Sequence, residues 1–256
     1  MRISKIIIYD EPTVPEIQLD ILKKFLTDTF PVKIETRGNL FKNLDYNTYK
    51  KIASAKIFDI KKPFHKHDVS VEDILFEKEN TDMSQKEEIP LYDGIELQHI
   101  ISETIPKNEN SLDILSIILT NKLTCTFDES DFKYHARVII GSNPTIISTT
   151  GIVEAPAKPK QYYLELITNI SKKGMTEIKE KYKGEFLNYH DLRTSEVLKG
   201  YFLQATMYCE TGDAFCSNKK CRLYNAHWQE ELIYSQLKNK KLCNRHTKIL
   251  KEIKLT

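Results

Sequence analysis

Cys209-Glu-Thr-Gly-Asp-Ala-Phe-Cys216-Ser-Asn-Lys-Lys-Cys221, followed by Cys243-Asn-Arg-His246, is the part of the sequence that decides the fold. These two segments contain four of the five cysteines. They supply two close pairs of thiolate or imidazole donors separated by 21 residues, a pattern typical of a closed tetrahedral zinc site. Thiolates and imidazole are also donors that suit zinc. The sequence therefore predicts one zinc ion bound by Cys216, Cys221, Cys243 and His246.

The cysteines allow a second interpretation, in which they are buried or reactive thiols without a metal. A single cysteine is usually of that kind. Two ligand pairs within one short segment favour the metal site instead. Cys209 is the substitute ligand if His246 does not bind, and Cys125, which stands apart, is expected to be a buried core thiol.

The overall composition predicts one soluble domain over 1–256, with a zinc-binding segment at 209–250 and a flexible, almost wholly polar insertion at 76–89. The net charge of +2 indicates no general affinity for nucleic acid or an anionic membrane. No apolar run approaches the length of a bilayer span, and the N-terminal residues lead into a strand rather than a signal peptide. Cysteines at metal-ligand spacing favour a reducing compartment, so we expect the cytoplasm.

Apolar runs of strand length alternate with helical patterns through the first part of the chain. Ile17, Ile21 and Leu22 recur at helical spacing after Pro15, and Asp45 is a suitable N-cap for a second helix. This alternation is typical of a layered α/β (α+β) domain. We predict a mixed β-sheet covered by helices, with a C-terminal zinc-bound helical segment. The predicted strands are 3–9, 32–36, 112–120, 123–127, 137–140 and 145–148.

A long amphipathic helix is predicted immediately before the zinc-binding segment. Asp191 is a suitable N-cap for it, and Gly212 stands where such a helix would end. Ala205 and Cys209 are four residues apart, so they lie one turn from each other on the same face of this helix. That face is expected to be buried or to line a cleft.

The segment 205–246 resembles the archaemetzincins, a family of zinc metallopeptidases. Their pattern is H-E-x-x-H-x-x-G-x-x-H-C, then a cysteine after four further residues, then two late cysteines separated by two residues. The resemblance implies a metzincin-like fold and a structural zinc site, and it is weaker over 112–155. The residues that match the structural part are Gly212 at the motif glycine, Cys216 and Cys221 at the first ligand pair, Cys243 at the third ligand, and His246 at the last cysteine.

The catalytic part of that motif is absent. Ala205 and Cys209 stand at the first two histidines, Thr206 at the glutamate and Phe215 at the third histidine. A metzincin needs three histidines to hold an open zinc, and a carboxylate to take a proton from the zinc-bound water. The resemblance therefore implies a metallopeptidase-family protein that has no catalytic residues and has lost peptidase activity.

Two other functions stay open. A zinc hydrolase would need an unconventional centre, for which the candidates are His190, Asp191, Glu210 and Asp213. A zinc-stabilised module could instead bind protein or nucleic acid through a basic cluster. No exposed aromatic residues are interleaved with that cluster, so we expect a peptide or protein partner rather than nucleic acid, and no membrane. The basic cluster comprises Lys219, Lys220, Arg222, Lys238, Lys240, Lys241 and Arg245.

Overall fold

The structure, a computed structural model, describes residues 1–79, 81–169, 171–213 and 215–255. Its strands are β1 (Lys5–Tyr9), β2 (Lys33–Arg37), β3 (Lys56–Ile57), β4 (Leu91–Asp93), β5 (Ile114–Thr120), β6 (Leu123–Asp128), β7 (Lys133–Ala136), β8 (Ile139–Ile140) and β9 (Thr145–Ser148). Its α-helices are α1 (Leu19–Thr29), α2 (Tyr46–Ser54), α3 (Val71–Lys78), α4 (Gly94–Thr104), α5 (Thr149–Glu154), α6 (Lys160–Thr168), α7 (Lys172–Lys181), α8 (Thr194–Thr211), α9 (Gln229–Ile233) and α10 (Asn244–Leu255). A 3-10 helix spans Met83–Gln85, and a π-helix spans Tyr234–Asn239.

The strands form two mixed sheets covered by helices, which confirms the predicted α/β class. The first sheet has the order β2-β1-β5-β9-β8. Its first four strands are parallel, and β8 pairs antiparallel with β9 at the edge. The second sheet has the order β3-β4-β6-β7, in which only β4 and β6 are parallel. No helix within the described ranges combines the length and apolar character that a membrane span requires.

The expected single sheet is wrong for the strand predicted at 123–127, because β6 belongs to the second sheet. The two residues between β5 and β6 are buried and anchored to distant segments, so they do not form a hairpin turn. The Asn121 backbone N–H donates to Glu11 at 3.1 Å, and its side chain donates to the Thr81 carbonyl at 2.7 Å. The Lys122 ammonium donates to Glu77 of α3. These bonds direct the chain away from β5 to pair with β4.

The central strand β1 shows how the core is divided between two faces of the first sheet. Ile6 and Ile8 contribute to a cluster that also contains residues of α1, of α8 and of the segment 216–246, which carries the predicted metal ligands and which we call the Cys/His segment. Ile7 and Tyr9 contribute to a second cluster with residues of α2 and α4. Because side chains alternate across a strand, one apolar run fills both cores. The Cys/His segment therefore packs on the α8 side of the sheet.

Helix α8 differs from the prediction at its start and agrees with it at its end. Arg193 precedes the helix, while the Asp191 carboxylate accepts hydrogen bonds from the Arg193 guanidinium instead of capping the helix with its side chain. Gly212 ends the helix with φ 76°, a left-handed conformation that glycine adopts without strain. Gly200 lies so close to the π-helix that a Cβ there would overlap the Gln236 amide.

The polar segment 76–89, expected to be a flexible insertion, is partly helical. Residues 76–78 form the last turn of α3, which begins with a capping box between Ser70 and Asp73. Glu77 is buried because it accepts hydrogen bonds from Tyr92 and Lys122. The 3-10 helix follows, and Asn80 lies outside the described residues. The charged composition of this segment predicts a solvated loop, whereas the Glu77 carboxylate is buried and bound inside the protein.

Candidate metal centre

The structure brings the four predicted ligands together. One donor atom from each of Cys216, Cys221, Cys243 and His246 lies within 4.8 Å of the others. The sulfurs of Cys216 and Cys243 are 3.9 Å apart. His246 Nδ1 is 3.6 Å from the Cys221 sulfur and 3.2 Å from the Cys243 sulfur. Cys221 and His246 are completely buried. We call these four residues the Cys/His cluster.

Two backbone segments hold the Cys/His cluster in place. The Cys216 N–H donates to the Leu223 carbonyl at 2.8 Å, which closes the first ligand loop. The second pair lies at the start of α10, with Cys243 directly before the helix and His246 in its first turn. The two segments are joined by the Arg222 N–H, which donates to the Lys241 carbonyl at 2.8 Å. The ligands therefore crosslink a loop and a helix that are far apart in sequence.

The electrostatics of the cluster favour the metal-binding protonation state at Cys243 and His246, and oppose it at Cys221. Although burial acts in the opposite direction, hydrogen bonds from the His246 backbone and from the other two thiols hold the pKa of Cys243 below its ordinary value. Burial and the nearby Arg245 charge lower the pKa of His246, which keeps its imidazole neutral. Burial raises the pKa of Cys221 to about 12, so without a cation this thiol keeps its proton. A bound cation would displace that proton.

The donor distances fit a tetrahedral zinc ion. Zinc–sulfur bonds of about 2.3 Å and zinc–nitrogen bonds of about 2.0 Å give tetrahedral edges of about 3.8 Å between sulfurs and about 3.5 Å between sulfur and nitrogen. The measured distances of 3.9, 3.6 and 3.2 Å are close to these edges. Backbone N–H groups of Asn218 and Cys243 also point at the sulfurs of Cys216 and Cys221, each at 3.4 Å. Such donors stabilise thiolate charge.

The four positions of the catalytic motif do not form a metal site. Ala205 and Thr206 are completely buried, and the Thr206 hydroxyl donates to the Phe202 carbonyl one turn earlier, at 2.9 Å. Phe215 is 41% exposed and offers no ligand atom. Cys209 does not join the Cys/His cluster, and burial raises its pKa to about 11. Cys125, expected in the core, is buried in β6.

The residues considered for an unconventional centre bind four different groups, so the structure does not bring them together as one site. His190 contacts two carboxylates from other segments, and the others are held by an arginine or by backbone N–H groups. The contacts are His190 with Glu16 and Asp82, Asp191 with Arg193, Glu210 with the backbone N–H groups of Arg2 and Ile3, and Asp213 with Arg245.

Another group of possible ligands lies where β6 turns into β7, and sequence reasoning missed it. Asp128, Asp131 and His135 place donor atoms within 4.8 Å of one another. The group is partly exposed, and His135 Nε2 is 2.9 Å from an Asp131 carboxylate oxygen. The only sequence signal is a histidine four residues after an aspartate, which is common without a metal. The ion pair between His135 and Asp131 accounts for this arrangement.

A cleft of about 580 Å³ lies beside α8, and we call it the α8 cleft. One wall is formed by residues 135–141, which end β7 and include the edge strand β8. The opposite wall contains Ala205 and Tyr208 of α8, with Phe215 and residues 224–227 completing the rim. Two of the four catalytic-motif positions, 205 and 215, therefore line a cleft and supply no ligand to it.

The predicted basic cluster is partly neutralised by ion pairs. Lys219 pairs with Glu231 at 2.8 Å, and Arg222 and Lys240 both pair with Glu196. Arg245 pairs with Asp213. In the part of the chain that the structure describes, no ion pair involves Lys220, Lys238 or Lys241. Several of the cations thus have protein partners.

The Cys/His cluster gives this α/β protein a candidate metal site. The chain belongs to the family described as "Probable metallopeptidase family (DUF6775)", whose family model matches residues 2–253. The fold is similar to the crystal structure of a zinc-dependent peptidase from Methanocorpusculum labreanum, at 11% identity and a TM-score of 0.49, over 96% of this chain and 100% of that chain. No curated protein matches the chain.

Proposed function

We propose that this member of the metallopeptidase family binds one structural zinc ion and does not hydrolyse peptides. The ligands are Cys216, Cys221, Cys243 and His246. One observation carries the proposal: the donor atoms that converge belong to a closed set of four, and the catalytic-motif positions beside the cleft hold none. A zinc ion with four protein ligands has no open position for water or substrate. It supplies crosslinking rather than Lewis-acid chemistry.

The zinc site also supports assignment to an archaemetzincin-like branch. The spacing of Gly212, Cys216 and Cys221 agrees with that family, and Cys243 occupies the position of its third structural ligand. His246 replaces the last cysteine, and its Nδ1 lies beside two sulfurs as that ligand would. A Cys₃His set holds zinc as a Cys₄ set does. The reducing conditions that thiolate ligands require favour a cytoplasmic location.

Of the two alternatives, a binding module has more support than an unconventional hydrolase. The hydrolase would need His190, Asp191, Glu210 and Asp213 to converge, and each of them is held by a different partner. A binding role suits the α8 cleft, whose size is that of a ligand site. The ion pairs within the basic cluster favour a peptide or protein partner over nucleic acid.

Metal analysis combined with a peptidase assay tests the proposal. The purified protein should contain one zinc per chain and should not cleave a generic peptide substrate, with or without added zinc. A Cys209→Ala variant and a chelator-treated sample are the controls. Hydrolysis that needs a second equivalent of zinc, stops with chelator and is lost in the variant would show that Cys209 belongs to a working centre. If the purified protein contains no zinc and is fully stable, the proposal of a structural zinc site is wrong.

A further inference from the structure

The α8 cleft is lined by one arginine and two histidines and, within the described residues, by no carboxylate. Its lining includes Arg137, His135 and His227, and neither aspartate nor glutamate. His135 is already paired with Asp131, and His227 is exposed at the rim. Arg137 is the permanently charged group of the cleft. A cleft of this composition attracts an anionic ligand.

Arg137 has a free guanidinium fork. Its Nε donates to the Thr126 hydroxyl at 2.7 Å, which fixes the side chain on one edge. The described residues offer its terminal nitrogens no ion pair, whereas four other arginines in the chain bind carboxylates; these are Arg37, Arg193, Arg222 and Arg245. Asp128 is near enough for the Arg137 charge to add to the Ser130 hydrogen bonds that lower its pKa, but the two groups form no ion pair. Two parallel N–H groups suit a carboxylate.

Gln204 supplies a second recognition group in the same cleft. Its side chain lines the cleft and is 1% exposed, and its Oε1 has no hydrogen-bond partner. Its Nε2 has only a long contact of 3.5 Å with the Tyr224 carbonyl. A buried acceptor without a donor is destabilising, so a ligand that brings an N–H group would gain this bond. A peptide amide has that group, and a phosphodiester does not.

The shape of the cleft suits an extended chain. The edge strand β8 pairs with β9 on one side, and the described residues place no strand on its other side. An extended peptide can add to such an edge through its backbone. Ile95, Tyr208 and Phe215 add exposed apolar surface around the cleft for the side chains of the ligand.

We propose that the α8 cleft binds an extended peptide that carries a carboxylate, with Arg137 as the carboxylate-binding residue and Gln204 as an acceptor for a peptide N–H. The carboxylate comes from an acidic side chain or from a free C-terminus, and both have the same chemistry. This inference rests on the proposed function in one respect, because the bound peptide is released uncut. It does not depend on the presence of zinc in the Cys/His cluster.

Calorimetric titration with four acetylated hexapeptides of alanine and valine tests the proposal. Each contains one glutamate or one glutamine at its third position, with a free or an amidated C-terminus. The peptide without any carboxylate should bind about 10-fold to 100-fold more weakly than the peptide with both, as expected for a charged hydrogen-bonded pair. The single-carboxylate peptide that keeps its affinity identifies the source. Equal affinity for all four peptides would overturn the proposal.

Arg137→Met should remove the difference between the four peptides. Lys133→Met is the matched control, because Lys133 is an exposed cation of the same chain segment that does not line the cleft. Gln204→Met should weaken all four peptides by a similar factor. Zinc content and thermal unfolding verify that each variant is folded, and Arg137→Lys, which keeps the charge but not the fork, replaces Arg137→Met if that variant does not fold.

Three results distinguish this proposal from a different carboxylate-binding residue, from a phosphate-binding site and from a working peptidase. If Arg137→Met still binds the four peptides with different affinities, Arg137 is not the residue that binds the carboxylate. If the protein binds a short single-stranded DNA tightly and Arg137→Met does not, the cleft is a phosphate-binding site and the proposal of a peptide ligand is wrong. Mass spectrometry of the recovered peptides reports on the proposed function separately, since cleaved products with retained carboxylate preference would overturn only the absence of hydrolysis and would support the carboxylate site.

Discussion

The Cys/His cluster and part of the wall of the α8 cleft come from the same segment of sequence, 205–246, and they differ in the side chains that this segment supplies. In the cluster, four donor atoms from two distant parts of the segment meet within 4.8 Å. At the cleft, two of the positions that a metzincin would fill with ligands hold Ala205 and Phe215. The difference shows that the structural and the catalytic parts of such a motif are physically separable.

The separation has a packing reason. The cluster lies between a loop and α10, so a metal bound there would crosslink them in addition to the backbone hydrogen bond from Arg222 to Lys241. The catalytic positions on α8 belong instead to a helix that is already held by the core. Thr206 is buried with its hydroxyl bonded to the Phe202 carbonyl, so no polar group is left unpaired there. We therefore expect a metal at the first set of residues to contribute to stability, whereas the second set is packed without one.

The largest expected effect is at the cluster. Cys216→Ser should abolish zinc binding and lower the free energy of unfolding by several kcal/mol, because zinc-binding energy in such sites is on the order of 10 kcal/mol and is coupled to folding. Denaturant unfolding and metal analysis of the same samples measure both quantities. Cys209→Ser is the matched control, since it removes a thiol of the same segment that lies outside the cluster. Full stability of Cys216→Ser would contradict a structural metal.

The next largest effect concerns the position of the missing general base. Thr206→Glu should destabilise the protein by about 3 kcal/mol or more, because it places a larger and ionisable side chain in a fully buried site. Thr206→Val, which keeps the shape and removes only the hydroxyl, should change stability by about 1 kcal/mol or less. Thermal unfolding of the two variants makes the comparison. A stable Thr206→Glu protein would mean that the catalytic side of the motif is open to restoration.

Much of this arrangement could be predicted from the sequence because it depends on local patterns. The apolar runs of β1, β5 and β9 identify the first sheet, and the ligand spacing identifies the four members of the cluster. What could not be predicted depends on contacts between distant residues. Asn121 and Lys122 look like a turn until their bonds to Glu11 and Glu77 are known, so the division into two sheets is invisible in the sequence.

The charged residues gave the least reliable predictions. Glu77 lies in a polar segment that is typical of a solvated loop, but a buried lysine and Tyr92 bind it. Asp191 is of a residue type that is common at N-cap positions, but its carboxylate binds the Arg193 guanidinium. The α8 face that carries Ala205 was expected to be buried or to line a cleft, and Ala205 does both, but the opposite wall at β8 could not be predicted from the sequence. A charged residue in a sequence needs either a protein partner or water, but the sequence does not show which of the two it has.

A smaller effect is expected at Cys209, the catalytic-motif position that holds a thiol outside the Cys/His cluster. Cys209→Ala should keep one zinc per chain and cost about 1 kcal/mol, the loss expected for a partly buried small side chain. Burial raises the pKa of this thiol to about 11, so it should also react slowly with an alkylating reagent at neutral pH. Zinc loss or rapid alkylation would bring Cys209 into the metal chemistry.

The smallest effect concerns His190, the histidine considered for an unconventional catalytic centre. Its ring lies between two carboxylates, with Nδ1 3.2 Å from Glu16 and Nε2 3.0 Å from Asp82. The hydrogen bond to Glu16, helped by Asp82 and opposed by burial, raises the pKa of His190. Although burial opposes it, the Ser84 and His190 contacts lower the pKa of Asp82. These shifts indicate a structural ion-pair cluster, which stability measurements at two pH values can distinguish from a catalytic residue.

The sign of the pH dependence follows from the two shifts. A raised histidine pKa contributes stability that is fully present below the ordinary value of about 6.5 and is lost as pH rises through the folded-state pKa. The lowered pKa of Asp82 contributes stability that is present above its ordinary value and is lost as pH falls through the folded-state pKa.

His190→Asn should therefore cost about 0.5–1 kcal/mol near pH 5.5, and less near pH 8, for a partly exposed pair. Asparagine tolerates the left-handed backbone of this position, where φ is 57°, so strain does not obscure the result. A double-mutant cycle with Asp82→Asn, measured by urea unfolding at both pH values, isolates the pair. A coupling that is the same at both pH values would show that the charge of His190 is not what holds these segments together.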